Sequence, residues 1–138
     1  MAEVLQLSDI VKLTRLPAHT VRQWSIGRPY RIGATVRESS QRGVPKLFSS
    51  DDALKFTVAA QLTRDGFISG VIKEALHKFN AHAETVAITS GRVRWLNVVP
   101  FDLVGRAELE EKISVYILDL ARLRDELKQR IAKRTEHQ

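Results

Sequence analysis

The stretch RLPAHTVRQW, residues Arg15–Trp24, decides how the N-terminal half is read. Proline is tolerated in a helix only in its first turn, so Pro17 predicts a helix that opens there and runs to about Ser25. Ala18 and Val21 then face a core together with Leu16. His19, Thr20, Arg22 and Gln23 lie on the opposite side at helical spacing, a polar face too rich in donors for a helix this short. What that face touches is the functional question the sequence poses.

Working outward, Ser8 as a cap and Asp9 near a positive helix N-terminus predict an earlier helix, with Leu7, Ile10 and Val11 buried along one side as far as Thr14. Two short helices joined at Arg15–Leu16 by a tight turn predict a helix-turn-helix. From Ile26 to Phe48 the helical period is lost. Gly27, Pro29, Gly33, Gly43 and Pro45 break the segment into two expected strands, Ile32–Val36 and Val44–Phe48, around a polar tip at residues 38–43. A basic hairpin after such a helix pair predicts a wing. Helical spacing returns at Ser50-Asp51-Asp52, with Leu54, Val58 and Leu62 inward, and again after Ser69, with Ile72, Ala75, Leu76 and Phe79 inward.

The charge is concentrated in this region. The chain of 138 residues carries 22 Lys+Arg and 16 Asp+Glu, a net +6, and its pI is near 10.0. Between Arg15 and Lys46 stand seven basic residues and one acid, Glu38, so this segment alone carries a charge equal to that of the whole chain. Such a run beside a helix-turn-helix points to a nucleic-acid phosphate backbone.

Residues LSDIVKLTRLPAHTVRQW, KLFSSDDALKF and LTRDGFISGVIKEAL, taken in order, resemble the MerR-type transcription regulators over Leu5–Phe79. Arg15 stands where that family usually has glycine, Trp24 and Phe48 stand in place of tyrosines, and the wing is several residues longer. The resemblance implies that Arg22 grips a phosphate, with Trp24 beside it and Lys46 reaching the DNA backbone from the wing. The chemistry of the side chains agrees. A guanidinium offers a planar fork to phosphate or guanine edges, His19, Thr20 and Gln23 are candidates for base edges, and Arg15, Arg37 and Arg42 for phosphate or minor-groove contact. Trp24 has two readings, a DNA contact or closure of the core.

Beyond residue 83 the resemblance ends. Thr85–Thr89 and Arg92–Val98 around Ser90-Gly91 predict a β-hairpin with Trp95 as its anchor. Ile113, Ile117, Leu120, Leu127 and Ile131, with Tyr116 widening the stripe and Arg124 interrupting it, predict a long C-terminal coiled-coil helix from about residue 107 to residue 133. The alternative is an ordinary amphipathic helix packed on its own domain. MerR-like proteins pair through a C-terminal helix, which implies a homodimer here.

The expected fold is therefore mainly α. It comprises a winged helix-turn-helix DNA-binding domain over 1–83, a hairpin and connector over 84–105, and a dimerisation helix over 106–138. With no cysteine, thiolate metal sites and disulfides are excluded. Scattered histidines suggest no metal site and nothing calls for a cofactor. No apolar run approaches a membrane span and Met1-Ala2-Glu3 opens no signal peptide, so a cytoplasmic protein is expected. No phosphate-cradling glycine loop or nucleophile elbow suggests an enzyme. The expected function is a homodimeric regulator binding double-stranded DNA, with RNA polymerase or another regulator as a further partner to expect. Two alternatives stay open: a mobile-element DNA-binding factor, excisionase-like or small-terminase-like, and an adaptor that recruits a protein through its terminal helix.

Overall fold

The computed structural model describes residues 4–38, 43–100 and 115–136, and the chain divides into two compact units at 72/73, within a helix.

The first unit holds α1 (Leu7–Thr14), α2 (Ala18–Ser25) and α3 (Ser50–Arg64). Helix α1 begins one residue before the expected cap: Gln6 is its N-cap, and Asp9 accepts the Gln6 N–H at 2.8 Å. It ends at Arg15, whose backbone turns left-handed (φ 60°, ψ 20°) and returns its N–H to Val11. That geometry lets Leu16 and Pro17 start α2 at once, completing the helix-turn-helix. The Thr14 hydroxyl donates to the Ile10 carbonyl and accepts the Leu16 N–H, and Arg64 of α3 donates to the Thr14 carbonyl at 3.2 Å, so the turn is held from both sides.

Helix α3 is the centre of this unit. Ser49 caps it and Asp52 completes a capping box. Beyond the predicted Leu54, Val58 and Leu62 it also buries Ala53, Phe56, Ala59 and Ala60, as suits a helix surrounded by others. Phe56 lies edge-on to Phe48, with ring centroids 5.8 Å apart, and stacks on Trp24 at 6.3 Å, while Trp24 meets Tyr30 at 5.0 Å.

The two expected wing strands do not form a ladder. Among the described residues the two sides of the wing share a single bridge, Arg37 with Leu47, and Phe48 bridges instead to Leu5 ahead of α1. Side-chain carboxylates take the donors a neighbouring strand would have used: Ala34 N–H goes to Glu38 at 2.7 Å and Thr35 N–H to Asp52 at 2.8 Å.

Helix α4 (Ser69–His77) spans the boundary between the units. The second unit is built on a three-stranded antiparallel sheet in the order β2-β1-β3, comprising β1 (Thr85–Thr89), β2 (Arg92–Leu96) and β3 (Val115–Asp119), followed by α5 (Leu120–Glu136). The Ser90-Gly91 turn forms as read, with both residues at positive φ, 50° and 76°, as a type I′ turn requires, while the second strand ends at Leu96, short of the expected Val98. Trp95 anchors it, donating its indole N–H to the Ala75 carbonyl at 3.0 Å and meeting Phe79 edge-on.

The mainly α fold with a long C-terminal coiled-coil helix is overturned. The architecture is mixed, with five helices and an antiparallel sheet among the described residues, and Tyr116 and Ile117 lie on a strand. Val115, Tyr116 and Ile117 are β-branched or aromatic, and β1 offers them a partner, with Ile117 opposite Ala87 and Tyr116 opposite Ile88. Asp119 then accepts the Arg122 N–H at 3.0 Å, the bond of a helix N-cap, so the helix begins at Leu120. Leu120, Leu127 and Ile131 are buried within the chain, with Leu120 at 0% exposure. Arg124 donates to the Ala81 and Ala83 carbonyls at 2.7 and 3.0 Å. The side chains read as a seam between two copies thus have intramolecular partners, as in the alternative of an amphipathic helix packed on its own domain. Ile113 lies outside the described residues.

Candidate nucleic-acid interface

Helix α2 is oriented by the two side chains it buries. Val21 is fully covered and Trp24 is 5% exposed. With that face inward, helical spacing sends His19, Arg22 and Gln23 outward, and all three are exposed, with Thr20 half-buried at the margin. Trp24 is therefore a core residue and does not share the outward face. Its ring is large enough to fill the space beside Phe56 and Tyr30, and burying it is what holds so short a helix in place.

Arg22 has no hydrogen bond or ion pair from its guanidinium to any described residue, and Arg15, in the turn, is likewise exposed without one. Two of the other predicted cations are engaged. Arg37 folds back, donating through Nε and Nη2 to the Pro45 carbonyl at 3.2 and 3.0 Å. Lys46 is half-buried and lies 3.7 Å from Glu38, which also meets Arg31 at 3.5 Å. Arg42 lies outside the described residues.

Two acids to which sequence reasoning gave no role in the site organise this region. Glu38 receives the Ala34 amide and both Arg31 and Lys46. Partial burial pushes its pKa up, but the amide, Lys46 and Arg31 outweigh that and hold it below the usual carboxylate range. Its being the lone acid in a basic segment was the available signal. Asp52 is fully buried and accepts the Thr35 N–H and hydroxyl and the Ser49 N–H. Its capping position was legible, while its reach to Thr35 was not.

Among the described residues no group of His, Asp or Glu is placed to hold a metal ion, and no helix is long and apolar enough to cross a membrane. Compared with protein-family models and with curated proteins, the sequence matches none.

Proposed function

We propose that this protein is a transcription regulator of the cytoplasm that binds double-stranded DNA through α2. The observation that carries the reading is the outward face of α2, His19, Arg22 and Gln23, with an uncommitted guanidinium at its centre on a helix pinned by Trp24 and Val21. An α-helix with its side chains is about 10–12 Å across, a diameter that fits a major groove about 12 Å wide. Arg22 takes a phosphate or a guanine edge, and His19 and Gln23 read neighbouring base edges. Arg15, from the turn, adds a backbone contact. The order of helix pair, basic loop and capped α3, and the resemblance to MerR-type regulators over Leu5–Phe79, support the same reading.

The test is titration of the full chain with DNA enriched from a random-sequence pool, at several salt concentrations. Arg22→Ala is expected to weaken binding to all sequences and to lower the salt slope by about one. Gln23→Ala is expected to relax preference at one base pair. Equal affinity of wild type and folded Arg22→Ala would remove α2 from the interface.

A further inference from the structure

We propose that Arg31, Lys46 and the Ala34 amide form an anion site in which Glu38 stands in for a nucleic-acid phosphate, and that DNA binding exchanges one anion for the other. The identity of the ligand rests on the DNA-binding reading, whereas the site itself rests on geometry alone.

Glu38 divides its two oxygens between two cations. Oε1 accepts the Ala34 N–H at 2.7 Å and lies 3.5 Å from Arg31, while Oε2 lies 3.7 Å from Lys46. A phosphodiester presents the same arrangement, two non-bridging oxygens sharing a negative charge, to a guanidinium, an ammonium and a backbone N–H. Gly33 leaves room for the approach, since a Cβ there would sit 3.0 Å from Oε1. The side chains of Glu38 and Arg31 are 40% and 66% exposed. Ion pairs this open to water contribute little to folding, so the carboxylate can leave at small cost once another anion arrives. Glu38 is also the single acid among the seven basic residues of Arg15–Lys46. It therefore lowers the affinity of the segment for DNA of any sequence until a well-placed phosphate displaces it.

Glu38→Gln keeps an oxygen for the Ala34 N–H and removes the charge. Binding of a mixed-sequence duplex to full-length wild type, Glu38→Gln, Arg31→Ala and the double variant is measured across a range of salt concentrations. Glu38→Gln is expected to bind about three- to tenfold more tightly, with a salt slope steeper by about one. Arg31→Ala is expected to cost more in the Glu38→Gln background than in wild type, the non-additivity of residues that share a partner. In a second measurement without DNA, inorganic phosphate raises the thermal midpoint of Glu38→Gln more than that of wild type. An unchanged affinity and slope, an additive Arg31 effect, or an unfolded Glu38→Gln overturns the proposal. If phosphate stabilises Glu38→Gln while no variant binds DNA, the anion site stands and the DNA-binding reading falls.

Discussion

Thr35 donates both its backbone N–H and its hydroxyl to one oxygen of Asp52, each at 2.8 Å. The same oxygen accepts the Ser49 N–H at 2.9 Å, so one buried carboxylate closes the basic loop onto the start of α3. The other oxygen has Lys55 at 4.0 Å. A loop that carries Arg31, Arg37 and Glu38 is thus tied to the helix at the centre of its unit by side-chain bonds instead of a strand ladder.

Asp52→Ala is expected to destabilise the protein by about 2–3 kcal/mol, because it removes a helix cap and strips three donors of their acceptor. Asp52→Asn retains an acceptor oxygen and is expected to lose about 1 kcal/mol. Urea unfolding of both variants checks this. Equal losses would mean that the charge, and not the bonding geometry, holds the loop.

Arg15 sits in a left-handed conformation that glycine adopts freely. Arg15→Gly is expected to stabilise the protein by about 0.5–1 kcal/mol, the relief of strain being partly offset by the freer unfolded chain. Arg15→Ala removes the same charge without the relief and gives no such gain. If the guanidinium contacts DNA, both variants lose affinity equally while their stabilities diverge. Thermal melts alongside DNA titration separate the two effects.

The hairpin turn offers a second conformational test. Gly91→Ala is expected to cost about 1 kcal/mol, since φ is 76° there. Ser90→Asn, a residue more tolerant of the left-handed region, is expected to gain a few tenths of a kcal/mol. A stabilised Gly91→Ala, measured by thermal unfolding, would show that the turn is not of the type described.

Leu120 is fully buried at the point where β3 becomes α5. Leu120→Ala is expected to destabilise by about 2–5 kcal/mol, through lost burial and the cavity left behind. The size of the effect is expected to be independent of protein concentration, because the lost contacts lie within one chain. A loss that deepens on dilution would return this residue to an interface between copies.

What the sequence determined by itself is local. Pro17 placed the start of α2, Ser50-Asp51-Asp52 a capped start for α3 (the cap itself is Ser49, one residue earlier), and Ser90-Gly91 a two-residue hairpin, because each depends on groups only a few positions apart. The polar face of α2 follows from the same short-range periodicity. The tertiary structure decided the rest. Spacings of three and four residues made Ile117 and Leu120 look like one helical stripe, yet Val115-Tyr116-Ile117 suits a strand equally well, and β1, nearly thirty residues earlier, settles the choice by offering hydrogen-bond partners. Trp24 had two readings until the rings of Tyr30 and Phe56 placed it in the core. The wing was legible as a turn-rich basic segment, but whether its amides would pair with a strand or with side chains depended on where Asp52, 17 residues from Thr35, arrives in space. A hydrogen bond between residues far apart in sequence has no periodicity, so it becomes visible only once the chain has folded.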